Sequence, residues 1–413
     1  MTRSCAAKPR RGCSAIRSSS RRGVRRRKRR PEKKESLILM AQSVDLKTRV
    51  IGPDTAVPET GDGVDVFSSL PIKPQERYKF LRSVGFGGMK SVLLVFDRDT
   101  GREVAMAIMP DFRDRPKSDL ERFVREARLT AQLEHPNIVP VHDLGIDSSG
   151  SPFFTMKYLH GQSLSSVLRK LAKGDAEAVH RFSQLRLLQI FIRICNAVEF
   201  AHSQGICHLD IKPENVNIGD FGEVLLLDWG LARVISPHSR LASPNTEDVD
   251  ANGHVKGTPG YMAPEQIRLL KEHPVGFRSD IYSLGGILYA MLSLSNPLSR
   301  LPMEEILRRT TSGEIPPPSD VAPDERHIPA ALEAICQKAM ALNPDDRYQT
   351  VAELREDIFA FQTGYVPKAE NASPLKHAGL FLGRNLLILM ILLVLFLALS
   401  LATLAYYYFN AVN

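Results

Sequence analysis

Residues 208–215 read His208-Leu209-Asp210-Ile211-Lys212-Pro213-Glu214-Asn215, and after a short hairpin-like segment the chain continues as Leu225-Leu226-Leu227-Asp228-Trp229-Gly230. Two carboxylates and an amide stand there at spacings that suit one chemical task. Asp210 can accept a proton from a hydroxyl. Asn215 can offer an oxygen to a hard divalent cation, and Asp228 can hold the same cation from the end of an apolar strand. A reaction that spreads charge over phosphate oxygens needs this combination, because metal ions and positioned donors supply most of its stabilisation. The stretch predicts phosphoryl transfer.

Working outward, charge locates a separate segment. The net charge of +8 suggests a nucleic-acid binder until it is mapped: residues 1–35 hold 15 Lys and Arg against Glu32 and Glu35, a net +13, which leaves −5 for the rest. The basicity belongs to a tail, and nucleic acid is disfavoured as a partner. That tail has no long apolar core, so it is no secretory signal, and its composition predicts disorder. It reads either as a solvated or untranslated stretch ahead of Met40, or as a segment drawn to anionic surfaces. Cys5, Cys13, Cys195, Cys207 and Cys336 form no Cys-x-x-Cys pair, which excludes the usual zinc and disulfide frameworks and suits a reducing compartment.

Upstream of the opening stretch, residues 81–95 read as strand, glycine-rich turn, strand, with Gly85-Phe86-Gly87-Gly88-Met89-Lys90-Ser91-Val92 at the turn. Glycines there let the backbone approach phosphate. Residues 104–109 form the next apolar strand, and 120–133 has helical spacing that carries Glu126. Phe153 to Leu159 reads as a further strand, and 185–202 as a long amphipathic helix leading into the opening stretch. Beyond Gly230, the polar residues 236–255 hold Ser236, Ser239, Ser243 and Thr246 and close on Gly257-Thr258-Pro259-Gly260-Tyr261-Met262-Ala263-Pro264-Glu265.

Taken together, these motifs resemble the protein kinases, whose pattern is His-Arg-Asp-x-x-x-x-Asn, then Asp-Phe-Gly, then Ala-Pro-Glu. The details are most similar to bacterial (Hanks-type) membrane-anchored serine/threonine kinases, and Lys212 and Thr258 fit the serine/threonine class. The resemblance implies an α+β, bilobal kinase fold with a β-rich N-lobe and a helical C-lobe. It implies ATP with Mg2+ or Mn2+ as cofactors. It assigns catalysis to Asp210, Lys212 and Asn215, and metal binding to Asn215 and Asp228. ATP contacts fall to Gly85, Phe86, Gly87, Gly88, Lys90, Val92, Ala105, Glu126, Lys157 and Leu159, with Met156 as gatekeeper. Arg347 is expected to pair with Glu265, and Asp280 to hold the backbone of the catalytic loop.

The chain departs from the catalytic pattern at Leu209 and Trp229, and three departures from the family bear on mechanism. Ala107 stands where the kinases place a phosphate-gripping lysine, Leu209 replaces the arginine before the catalytic aspartate, and Asn217 takes a usually apolar place below the adenine. Lys90 replaces the third glycine of the loop, and Gly85, Gly87, Lys90 and Val92 reproduce the Gly-x-Gly-x-x-Lys-x-Val pattern of the with-no-lysine kinases. A long stem carrying a point charge can reach phosphate from either strand. The expected function is therefore an ATP-dependent serine/threonine kinase with its lysine relocated to Lys90. The alternative is a pseudokinase serving as a membrane-anchored scaffold or docking module.

Leu386 to Ala405 carries no charge over 20 residues, enough helix to cross about 30 Å of hydrocarbon. Lys376 and Arg384 precede it and Tyr406, Tyr407 and Tyr408 follow, so the positive-inside rule puts the kinase domain in the cytoplasm of a single-pass membrane protein. With only a short uncharged tail after this helix, no ectodomain is expected. The expected organisation is a basic tail over 1–41, a linker over 42–77, the kinase domain over 78–361, a juxtamembrane linker over 362–385 and a transmembrane helix over 386–408. Expected partners are proteins presenting serine or threonine and the lipid bilayer, with self-association left open.

Overall fold

The structure, a computed structural model, describes residues 77–86, 90–235, 257–268 and 274–412. All of them belong to the unit Gly63–Asn413. The tail over 1–41 and all but the last residue of the linker over 42–77 lie outside the described residues. So do Gly87, Gly88, Ser236, Ser239, Ser243, Thr246 and the side chain of Phe86.

The N-terminal lobe is built on an antiparallel sheet. Its strands are Tyr78–Phe86 (β1), Ser91–Asp97 (β2) and Arg102–Ile108 (β3), followed by the helix Lys117–Gln132 (α1) and then Val141–Ile146 (β4) and Pro152–Lys157 (β5). The order across the sheet is β1-β2-β3-β5-β4. Runs of Val, Leu and Ile in β2 and β3 favour a pleated, half-buried surface, and their register sets Val92 directly opposite Ala107. The helix α1 lays Phe123 and Ala127, four residues apart and so on one face, against Ala107, Met109 and Phe154. The same packing carries Glu126 into the interior.

The C-terminal lobe starts at Gly161–Ser163 (β6) and Leu164–Ala172 (α2), whose first turn is capped by the Ser163 hydroxyl accepting from Ser166 N–H at 3.2 Å. The long helix Gln184–Ser203 (α3) is capped in the same way by Ser183, each such cap contributing about 1 kcal/mol. Then come Ile206–Cys207 (β7), Val216–Gly219 (β8), Val224–Leu226 (β9) and Arg233–Val234 (β10). The expected hairpin is β8 with β9, which pair antiparallel from Val216 opposite Leu226.

The helix Phe277–Ser293 (α4) runs through the middle of the lobe, and every residue from Ser279 to Ser293 is buried. A helix apolar on nearly all sides can only be a core element in a water-soluble lobe. It packs on α3 and on the helix Ala330–Ala339, with Met303–Ser312 (α5) before that helix (α6) and Val351–Gln362 (α7) after it. Gly285 permits the close approach, since a Cβ there would lie 2.6 Å from Met340 Cγ. Truncating a fully buried side chain such as Leu284 to alanine would cost about 2–5 kcal/mol.

The last helix, Pro374–Val412 (α8), begins inside the stretch expected as linker. Only Gly379 and Gly383 interrupt its helix formers there, at about 1 kcal/mol each, and the Ser373 carbonyl accepts from the N–H groups of Lys376 and His377. The apolar run therefore extends a helix already started. Apart from the half-buried Leu389, its large side chains from Leu386 to Phe409 are 51–75% exposed, so no described residue covers them.

Candidate active site

The sheet and α1 converge on Lys90, the residue before β2. Its ammonium donates to the Glu126 carboxylate and to Asp228 Oδ1, the latter at 2.8 Å. Ala107, across from Val92, is fully buried among Met109, Phe123, Ala127 and Phe154. A cation thus stands just before β2, beside a strand β3 whose facing residue is an alanine. Burial works against the Lys90 charge, but the two carboxylates outweigh it and hold its pKa above the ordinary lysine value. Burial pushes the Glu126 carboxyl up to about 7, with Asp228 adding to the rise and Lys90 opposing it. For Asp228, burial would raise the pKa, and Lys90 reverses this to hold the carboxylate ionised. Gly230 lets these groups meet, because a Cβ on it would lie 3.0 Å from Glu126 Oε2 and 3.2 Å from Asp228 Oδ1.

Opposite this cluster lies Asp210. Its Oδ1 accepts from the Thr258 hydroxyl at 2.8 Å, and its Oδ2 accepts from Lys212 Nζ at 2.7 Å and from Asn215 Nδ2 at 3.2 Å. Lys212 Nζ also donates to Thr258 Oγ1 at 2.6 Å. Asn215 donates from the same amide nitrogen to the Asp210 carbonyl at 2.8 Å. Its nitrogen is committed to Asp210, which directs the amide oxygen the other way.

The loop that carries Asp210 is held from below. Asp280, in the first turn of α4, accepts from Leu209 N–H on Oδ1 and from His208 N–H on Oδ2, both at 2.8 Å. Leu209 and Asp228 both take left-handed backbone, at φ 64° and 63°, a conformation of order 1–3 kcal/mol above the ordinary one for a non-glycine residue. Asp280 offsets that cost at Leu209. Nearby, Arg347 forks onto Glu265 at 2.8 and 2.9 Å with both side chains buried. Asp280 and Arg347 thus make the contacts the resemblance assigned them. Trp229 is fully buried with its ring 4.5 Å from that of His208.

Of the residues expected to contact ATP, Val92 and Ala105 lie on β2 and β3, with Ala105 buried between Leu94 and Met156. Gly85 stands opposite Val92, and a Cβ on it would meet no atom of the described residues within 4 Å. Lys157 ends β5 with its N–H donated to Pro140 O. Leu159, 9% exposed, keeps an N–H with no acceptor among the described residues. Asn217 is half-buried on β8, and its Oδ1 has no donor among the described residues.

The sequence reading did not single out Gln266. It is buried, accepts from Ala263 N–H, and donates to the Leu209 carbonyl at 3.1 Å, joining the segment after Ala-Pro-Glu to the catalytic loop. Its one signal was its place directly after Glu265. His202, Cys207 and Asp280 also gather within 4.8 Å. Asp280 there already accepts three N–H donors, counting His202 Nε2, and burial keeps the Cys207 thiol protonated, so the group is a structural network.

The model of the protein kinase domain matches residues 78–359. The chain belongs to the protein kinase family. It is 38% identical over 310 residues to serine/threonine-protein kinase PknD of Protochlamydia amoebophila, covering 72% of this chain and 31% of that protein. Against PknD of Chlamydia pneumoniae it is 39% identical over 295 residues, 68% of this chain and 31% of the relative. Against PknD of Chlamydia trachomatis serovar D it is 35% identical over 307 residues, 70% and 32% respectively. The chain therefore spans about a third of the length of the curated relatives it matches. The β-rich N-lobe and helical C-lobe are those of the bilobal kinase fold.

Proposed function

We propose that this kinase domain is an active, ATP-dependent serine/threonine protein kinase that is anchored to a membrane by α8 and uses Lys90 in place of the missing strand lysine. The observation that carries this reading is the Lys90 ammonium between Glu126 and Asp228, beside a fully buried Ala107. A decayed site would have no reason to keep a cation with both carboxylates in reach.

The residues present fit a nucleotide and a divalent metal. Leu159 N–H is a buried donor without an acceptor among the described residues, and Gly85 leaves open space at the cleft mouth. Asp228 and Asn215 offer a charged and a neutral oxygen, the hard donors that Mg2+ or Mn2+ takes. Bound there, ATP and the metal supply the phosphoryl group and neutralise charge on its oxygens. Asp210 takes the proton of a serine or threonine hydroxyl through the oxygen that Thr258 now holds. Lys212 balances the charge of Asp210 and stands within reach of the same oxygens. Lys90 binds phosphate oxygens, and Glu126 orients it.

The membrane anchor rests on the length and uncovered apolar surface of α8. Lys376 and Arg384 on its N-terminal side support a cytoplasmic kinase domain by the positive-inside rule. The test is phosphate incorporation by the full chain, in detergent or bilayer, from labelled ATP with Mg2+. Label on serine or threonine that disappears in Asp210→Asn supports the kinase. No incorporation by the parent would favour the pseudokinase scaffold. Protease added outside intact cells should spare the kinase domain, and cleavage without permeabilisation would overturn the orientation.

A further inference from the structure

Where α8 leaves the C-terminal lobe, a cleft of about 440 Å3 opens between the helix and the turn after α7, lined by Tyr365, Val366, His377, Phe381, Leu382 and Arg384. The wall of the cleft is fixed to the lobe. Asp357, buried in α7, accepts from Lys368 N–H at 2.7 Å, from Ala369 N–H at 2.9 Å and from the Tyr348 hydroxyl at 2.8 Å. Arg384 closes the other side. One of its nitrogens donates to Gly364 O at 2.8 Å, and its guanidinium lies 3.8 Å from the centre of the Tyr365 ring.

The other cations of this region have partners. Lys368 pairs with Glu356 and Lys376 with Glu370. Arg384 pairs with no carboxylate among the described residues, and its hydrogen bond to Gly364 O uses one of five N–H donors. A guanidinium with open donors on an apolar cleft matches a phosphate oxygen attached to a hydrocarbon.

Position then selects the source of that phosphate. Arg384 precedes the uncharged run at Leu386 by two residues, about 3 Å of helix, and Phe381 precedes it by about 8 Å. The headgroup layer on each side of a bilayer is about 5–8 Å thick. Phe381 and Leu382, 54% and 52% exposed, therefore lie at headgroup depth with apolar faces uncovered. We infer that this cleft binds one anionic phospholipid of the leaflet facing the kinase domain, its phosphate on Arg384 and the start of an acyl chain along Phe381 and Leu382. This rests on α8 crossing the bilayer. Bound lipid would tie the lobe, through Asp357 and the Tyr365 turn, to the membrane surface.

The test uses the full chain in nanodiscs of phosphatidylcholine with one-fifth phosphatidylglycerol, with retained lipid counted after detergent exchange. The parent should retain phosphatidylglycerol over phosphatidylcholine at a ratio at least about fivefold above that of the disc, Arg384→Gln should lose that enrichment, and Arg384→Lys should recover most of it. Equal retention by parent and Arg384→Gln, in protein that still resists alkaline carbonate extraction, would overturn the lipid site and leave the anchor standing. Extraction of the parent by carbonate would overturn the anchor, and the site with it. Displacement of the lipid by millimolar inorganic phosphate would mean a free-anion site and would also overturn the proposal.

Discussion

Thr258 Oγ1 donates a 2.8 Å hydrogen bond to Asp210 Oδ1, across 48 residues of chain. This bond ties the end of the segment before Ala-Pro-Glu to the candidate base, and Lys212 closes the triangle from Asp210 Oδ2 to the same hydroxyl. Thr258→Ala removes a bond to a charged group, worth about 1.5–3 kcal/mol. Phosphotransfer should fall by roughly tenfold to a hundredfold, while Thr258→Ser should keep most of it. Asp210→Asn should abolish transfer yet leave nucleotide affinity within about twofold, measured by calorimetry, because Asp210 acts on the acceptor hydroxyl. Equal loss of binding and transfer in Asp210→Asn would contradict that role.

Leu209 fills the place of the arginine before the catalytic aspartate, 6% exposed, with its carbonyl accepting from Gln266 and its N–H donated to Asp280. No guanidinium stands there to pair with a phosphorylated loop. Alanine at Ser236, Ser239, Ser243 and Thr246 together should therefore change the rate of transfer to a protein substrate by less than about tenfold. A collapse of activity would point to the basic group of Arg122, Arg125 and Arg233. Burial lowers the pKa of Arg125, and the charges of Arg122 and Arg233 lower it further.

Glu265 and Arg347 form a buried two-point pair. Burial would raise the Glu265 pKa, but the Arg347 fork and the Ser279 hydroxyl outweigh it and hold it below the ordinary glutamate value. A lowered native pKa contributes stability that is fully present above the unfolded value, about 4.3, and is lost as pH falls through the native one. Glu265→Gln leaves Arg347 buried without its counter-charge and should cost about 3–5 kcal/mol at pH 7. In chemical unfolding, the difference between parent and variant should shrink below pH 4. A difference independent of pH would mean that packing, not ionisation, carries the effect.

Much of the fold is legible in the sequence. Phosphoryl transfer constrains residue types at short spacings, so Asp210, Asn215 and Asp228 could be proposed from one stretch, and the resemblance of the surrounding motifs to the protein kinases implied the bilobal fold. The hairpin between Asn215 and Asp228 and the helix α3 were visible in apolar periodicity. What depended on long-range placement was not visible. Lys90 could be named as a candidate, but its contacts lie 36 and 138 residues away and depend on how α1 docks on the sheet. The start of α8 at Pro374 was missed because two glycines and a few charges resemble a linker. The role of Gln266 depends on a carbonyl 57 residues earlier. The cleft at Arg384 forms where the turn after α7 folds back along a helix, which no local pattern records.

Lys90 is the decisive residue, and the most direct test of its role is phosphotransfer by the full chain in Lys90→Met, Ala107→Lys and the Lys90→Gly, Ala107→Lys double variant, measured beside the parent. If Lys90 holds the phosphates, Lys90→Met should lose a charge-assisted contact worth about 1.5–3 kcal/mol and at least about tenfold in rate. Ala107→Lys alone should bring no gain, since it adds a second ammonium beside the same carboxylates and disturbs a fully buried site. The double variant returns a single lysine to the facing strand, still within reach of Glu126, and should recover part of the activity lost in Lys90→Gly. A Lys90→Met variant as active as the parent would contradict the relocation outright, and a parent that is inert until Ala107→Lys restores transfer would show that the chain is a scaffold.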